Sequence, residues 1–385
     1  MYFFVIEFLD ELVFGVQDAA WPLIRDALSL SYVQIGLLLS LPGILANLVE
    51  PSLFVLGDIW RRRTVILLGG TGFVLALALA ANSGSFLWLL LALVLFNPSS
   101  GAFVSLSQAS LMDAEPRRRE LNMARWNFAG SLGVFTGPLL LGAIVSLGAG
   151  WRHAFWLLAG LSAVVLWVSF RGVPHATNQP AEFPGWRGVL QGFRRAAALL
   201  RTPPVLRWLV LLEFSDLTLD VFYGFLALYF VDVAGLSPGV AAMAVAVWTG
   251  AGLLGDLVMI PLLARVSGLR YLRLSVWLEL VLFPAFLLVS TLSGKLIWLG
   301  LLGLFSSGWY AILRAQLYEA APGSSGTVLA LDNITGMLGR LLPLLIALAA
   351  QQLGLATAMW LLLLGPVALL VGLPRGHGAR MAPNE

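Results

Sequence analysis

Glu7-Phe8-Leu9-Asp10-Glu11 and, 206 positions further on, Glu213-Phe214-Ser215-Asp216 are the stretches whose reading decides the fold. Both sit inside long apolar runs, in a chain of 385 residues that is 59% apolar and only 11% charged. A soluble domain carries roughly 25% charged residues, so no water-facing surface can be built from this composition. The same offset superposes Asp26 on Asp232, Leu30-Ser31 on Leu236-Ser237, Glu50 on Asp256 and Asp113 on Glu319. It continues through Pro116 on Pro322, Asn127 on Asn333, Gly130 on Gly336 and Gly133 on Gly339; after a two-residue slip Ala154 and Trp156 fall on Ala358 and Trp360. Scarce polar residues recurring in one register indicate a duplicated unit.

Apolar runs of about 20 residues, the length that crosses a ~30 Å hydrocarbon core as a helix, recur along the chain. They lack the two-residue alternation of a barrel strand, which selects helices. Turn residues and charge clusters predict spans near 2–24, 34–56, 64–82, 86–112, 122–147, 153–170, 205–230, 239–264, 270–292, 296–320, 326–349 and 355–373. The expected architecture is an all-α polytopic membrane protein with twelve transmembrane helices in two pseudo-symmetric six-helix bundles. Its bundles cover 1–171 and 205–374, joined by a linker at 172–204 and followed by a tail at 375–385. Within the linker Trp186, Val189, Leu190, Phe193, Ala197 and Leu200 recur at helical spacing opposite a basic face, which reads as a helix lying on the membrane surface or as a solvated linker helix.

Arginines cluster at Arg61 to Arg63, Arg117 to Arg119, Arg171 to Arg207, Arg265 to Arg273, and Arg375 with Arg380; the alternate loops hold only Arg25, Arg152 and Lys295. The arginine-rich face is the expected cytoplasmic one, with both termini on it. The near-absence of lysine reads as GC-rich bacterial coding, and hence a bacterial inner membrane. The first span has no basic flank and carries acids, so it is not expected to be a cleavable signal.

A carboxylate inside a membrane costs a few kcal/mol and needs a reason to be there. Glu7, Glu11 and Asp18 fall within about 40° of one helix face, with Asp10 some 60° aside. Glu213, Asp216 and Asp220 repeat the design in the seventh span. Two related helices are thus expected to present acids to a common interior, where they can exchange protons or bind cations. Asp10, Glu11, Asp216 and Asp220 are the leading candidates, because Glu7 and Glu213 lie nearer the arginine-rich ends. Asn97, Gln108 and Asn127, with Asn333 by the repeat, are candidates to line the cavity. Trp126, Trp248, Trp309 and Tyr310 are candidates for its apolar wall, set against the commoner role of such rings as interface anchors.

At Gly57-Asp58-Ile59-Trp60-Arg61-Arg62-Arg63 the chain resembles the major facilitator superfamily, whose loop after the second span carries an acid followed by arginines. The resemblance implies a cytoplasmic gate formed by Asp58, Arg61, Arg62 and Arg63, although Phe54 and Arg61 replace two of the usual glycines. Gly133, Gly137, Pro138 and Gly142 look like the Gly-x-x-x-Gly-Pro signature of the drug/proton antiporter branch, with Leu141 in place of one final glycine. Leu30 to Leu37 is similar to the first-loop segment of bacterial efflux members of the fosmidomycin-resistance type. Those members usually carry an arginine four residues before a glycine in the fourth span; here the residue before Gly101 at that spacing is Asn97. A relay would then run through the acids of the first and seventh spans, with Arg314 as a movable counter-charge.

These features lead to the expectation of a monomeric secondary transporter that exports a small organic, cationic or amphiphilic compound in exchange for protons. Sodium is the alternative ion, because carboxylates coordinate it too. A metabolite symporter or facilitator is the competing transport reading, and a non-transporting sensor or scaffold the reading of a different class. No enzyme, cofactor, metal centre or nucleic-acid partner is expected: His175 and His377 lie outside the spans and His153 at the edge of one, and neither a HExxH pattern nor a phosphate loop is present.

Overall fold

The computed structural model describes residues 2–59, 62–114, 119–172, 201–321 and 335–374, and among them every regular element is helical. Ten segments, from Tyr32–Phe54 to Leu355–Gly372, are long and apolar enough to cross a membrane. Two more rods, Tyr2–Leu28 and the run from Pro203 to Asp232, match them in length but carry the acid stripes. Where both ends are described, the helices begin and end within about four residues of the expected spans, the usual uncertainty of such boundaries. The linker helix, Arg61, Asn333 and the tail lie outside the described residues.

Local sequence sets the joints. Pro203 and Pro204 open the seventh span, where a proline's missing N–H would have had no helical partner anyway. That span then widens into a π-helical turn at Leu217–Val221, between Pro203–Asp216 and Phe222–Asp232. The fourth span does the same at Gly101–Ser105. Its repeat partner, the tenth, is interrupted at the equivalent place: Leu292–Ser306 ends, Gly308 takes a left-handed φ of 77°, and Trp309–Ala320 resumes. Glycine alone adopts that conformation without steric cost.

Glycines also bring backbones into contact. A β-carbon on Gly137 would lie 2.6 Å from the carbonyl carbon of Gly15, and one on Gly15 would lie 2.7 Å from the Val134 oxygen. The first span is therefore seated directly on the backbone of the fifth, with Gly133 under Glu11 and Pro138 against Gly15. Gly142, the last of that glycine series, points elsewhere, toward Met243 and Gly239 of the eighth span at 3.6 and 3.8 Å. In the second half, Gly365 of the last span approaches the Phe214 oxygen with the same intimacy, 2.7 Å.

Contacts between the halves concentrate toward the arginine-poor face. Gly36 meets Ala347 and Leu344, the Leu344 N–H donates to Ser40 Oγ at 3.2 Å, and Gly250 lies under the Phe135 ring. At the end of the first span Arg25 donates to Asp232, which also accepts from the Tyr32 hydroxyl; the Tyr32 N–H donates to Gln351 at 3.1 Å. Toward the arginine-rich face, the contacts between the halves among the described residues include Arg340 on Gly43 and Asn47 near Gly336. The apolar core divides the same way. One large cluster joins both halves, whereas Val205, Leu209, Leu272, Trp309 and Leu313 form a second core wholly within the second half.

Candidate functional site

The acids of the first span each meet a different neighbour. Glu7 is buried over Gly130, where a β-carbon would lie 2.7 Å from its Oε1, and it accepts a hydrogen bond from Trp126. Asp10 turns into the first half and accepts from Ser100 Oγ at 2.8 Å, with Glu50 as its acidic neighbour. Glu50 in turn lies over Gly101, at the start of the π turn in the fourth span. Glu11, half-buried beside Gly133, and Asp18, which accepts from Trp21 Nε1 at 3.2 Å, face the middle of the molecule.

There the two halves meet chemically. Asp220, inside the π turn of the seventh span, lies within electrostatic range of both Glu11 and Asp18, and all three act on the Tyr223 hydroxyl in the same way. Although it sits mid-span, Asp220 is solvent-exposed, as is Arg340, the cation that acts on it and on Glu50. Among the described residues no three such side chains come close enough to hold a metal ion, so the acids share a field rather than a ligand. The Tyr223 hydroxyl and Gln17 Oε1 are buried there without a hydrogen-bond partner among the described residues.

Other expected site residues go elsewhere. Asp216 ends the helix before the π turn, while Glu213 packs against Gly339, the repeat partner of Gly133. Arg314 donates to Tyr310 one turn away on its own helix, its guanidinium 5.2 Å from that ring. Arg340, which lies against Gly43 of the second span, is the cation that acts on Asp220 and Glu50. Trp309 is wholly enclosed in the second core, where its Nε1 donates to Ser275 at 2.7 Å, so it is no cavity wall. Trp248 is buried edge-on to Phe222, their rings 5.0 Å apart. Asn97 Nδ2 donates back to Leu93 O at 3.0 Å, Gln108 touches Met123 on the next span, and Asn127 is exposed.

The expected gate is described only in part. Asp58 lies in the last turn of the second span, Arg62 pairs with Asp113 at 2.7 Å, and Arg63 donates to Phe170 O. Both arginines thus tie the loop to the fourth and sixth spans of their own half. Two buried ionisable groups escaped the sequence reading. Glu279 is fully enclosed with neither carboxyl oxygen partnered among the described residues, and Lys295, expected in a loop, is buried and donates to Tyr229 Oη at 2.8 Å and Phe286 O at 3.0 Å. The signal for Glu279 was simply an acid in an apolar span, where the repeat has Phe73.

Comparison with known proteins places this geometry. The sequence model of the Major Facilitator Superfamily matches residues 3–343. The Fosmidomycin resistance protein of Escherichia coli (strain K12) is 27% identical over 158 residues, which is 41% of this chain; the match spans 39% of that relative's length. In fold the chain is similar to the nucleoside transporter NupG, with a TM-score of 0.77 at 14% identity over 96% of each chain. It is also similar to a bacterial homolog of the human lysosomal transporter Spinster in an inward-facing, occupied conformation, with a TM-score of 0.73 at 18% identity over 97% of this chain and 93% of that one.

Proposed function

The chain belongs to the Major Facilitator Superfamily, and from that premise we propose that it is a proton-coupled exporter of small organic cations or amphiphiles. The observation that carries the reading is the meeting of Glu11 and Asp18 from one half with Asp220 from the other, at a point closed toward the arginine-poor face. Carboxylates gathered in a low dielectric repel one another unless a proton or a cation lies among them. Competition between the two for one group of acids makes entry of protons release the compound, which is exchange. Resemblance to a resistance protein supports export over uptake.

In this reading the arginine-rich face and both termini are cytoplasmic, twelve spans cross a bacterial inner membrane, and a single chain is the working unit, with the halves 1–171 and 205–374 rocking about the central acids. Arg340 beside Asp220 favours one variant, a zwitterionic metabolite carried with protons, in which the arginine would take the substrate's anionic group.

The test is the internal pH of proteoliposomes carrying the purified protein while lipophilic cations, neutral metabolites and zwitterions are added one at a time under a pH gradient. Proton movement triggered by a cation supports exchange, and by a zwitterion the variant. No movement with any class, at verified incorporation, overturns proton coupling.

A further inference from the structure

The second half carries a groove on its outer surface that the transport reading does not use. It has a volume of about 430 Å³, within the range of small-molecule sites, and runs along the seam between the seventh and twelfth spans. Leu206, Val210 and Phe214 form one helical face of its wall, and Ala368 and Gly372 the other; Arg207 is the single charged residue along it. Gly372 lets Leu211 of the seventh span pack directly against the twelfth: a β-carbon there would meet it at 2.5 Å. In the first half, after the two-residue slip of the repeat, Val164 and Val168 stand where Ala368 and Gly372 do.

The lining fixes the chemistry of the occupant. From Pro203 to Phe214 the groove descends 11 residues, or about 16 Å at 1.5 Å per residue, which is the depth of one leaflet of a ~30 Å hydrocarbon core. Its wall is apolar throughout, and its charge lies near the end at the arginine-rich face. Arg207 is exposed, and among the described residues no carboxylate pairs with it. An exposed guanidinium above an apolar slot of leaflet depth matches an anionic head on an acyl chain, because guanidinium binds phosphate oxygens bidentately and basic sites between spans select anionic lipid.

We propose that this seam is a binding site for one anionic phospholipid of the surrounding bilayer, its phosphate on Arg207 and one acyl chain between Val210 and Ala368. A membrane-wide attraction of arginines for anionic lipid would act equally at Arg171, which ends the sixth span on the same face and lies 4.1 Å over the Trp167 ring. At the seventh–twelfth seam the charge stands over a cavity.

Native mass spectrometry of the intact protein, titrated with phosphatidylglycerol and separately with phosphatidylcholine, tests this. The wild type should retain one phosphatidylglycerol preferentially. Arg207→Gln should weaken that retention about fivefold, the effect of one basic residue near a membrane surface. Val371→Trp, which fills the slot from an exposed position, should abolish it, and Arg171→Gln should leave it unchanged. Equal retention of both lipids by the wild type, or retention that Arg207→Gln and Val371→Trp leave intact, overturns the proposal; so does an equal loss in Arg171→Gln.

Discussion

Arg25 and Asp232 face each other across the two halves of the molecule, each less than one-fifth exposed, at the ends of helices related by the internal repeat. Asp26, the repeat partner of Asp232, sits beside Arg25 and pairs with it at 2.8 Å. One guanidinium thus binds the two symmetry-related acids together, and Tyr32 adds a hydroxyl to Asp232.

Removing this tie should open the arginine-poor face. Breaking a partly buried pair costs about 1–2 kcal/mol, a five- to thirtyfold shift between two states. The chain has no cysteine, so a single Val145→Cys, which lies against Gly239 in the closed seam, reports opening through its rate of thiol labelling. Arg25→Ala should raise that rate by the same factor; an unchanged rate would show that the apolar seam holds the face shut unaided.

Among the acids, Asp220 should matter more to transport than Asp216, because Asp220 acts on Glu11 and Asp18 from inside the π turn, whereas Asp216 lies before it. Asp220→Asn is expected to abolish compound-driven proton movement in proteoliposomes, while Asp216→Asn retains a measurable fraction. The reverse order would place the coupling site below the π turn rather than in it.

The seat of the first span on the fifth tolerates no side chain. Gly137→Ala drives a methyl into the Gly15 backbone, which cannot move aside as a flexible side chain would, and should cost about 3 kcal/mol. Gly160→Ala, in a helix with open space around it, should be neutral or stabilise by up to ~1 kcal/mol. Thermal unfolding in detergent compares the two, and equal midpoints would mean the close approach is not maintained in the folded protein.

Ser100 supplies the hydrogen bond on Asp10. Ser100→Ala should lower stability by about 1–3 kcal/mol, the cost of leaving a buried acceptor unpaired. In an Asp10→Leu background the same change should cost much less, and the difference between the two is the coupling energy. Additive effects would mean that another group satisfies Asp10.

Much of the fold was legible because its signals are one-dimensional. Span ends follow from where apolar runs meet Gly, Pro and Arg, and the repeat survives in part: Glu7 lies over Gly130, whereas Glu213 lies over Gly339, the repeat partner of Gly133. The candidate site was legible only as a set of helices. Helical spacing gives the angle between Asp10 and Glu11 but not which neighbour each will face, and here one turns to Ser100 and the other to the seventh span. Arg314 and Arg340 look alike in sequence; that one bonds its own helix and the other reaches the centre depends on the partner each helix packs against. Glu279 was passed over because a lone acid carries no spacing, and the Arg25 tie because its partner lies 207 positions away.

The π turn at Leu217–Val221 gives the seventh span a mechanical property that neither bundle has as a rigid body. Such a turn holds one residue more than an α-helical turn, so annealing it would unscrew one end of the rod against the other by about 100° and lengthen it by about 1.5 Å. Glu213 on its seat at Gly339 and Asp232 in its tie with Arg25 lie on opposite sides of that slack thread, with Asp220 on the thread itself. A change of occupant at Asp220 would therefore be felt as torque at both ends of the span, and one anchor or the other would have to let go.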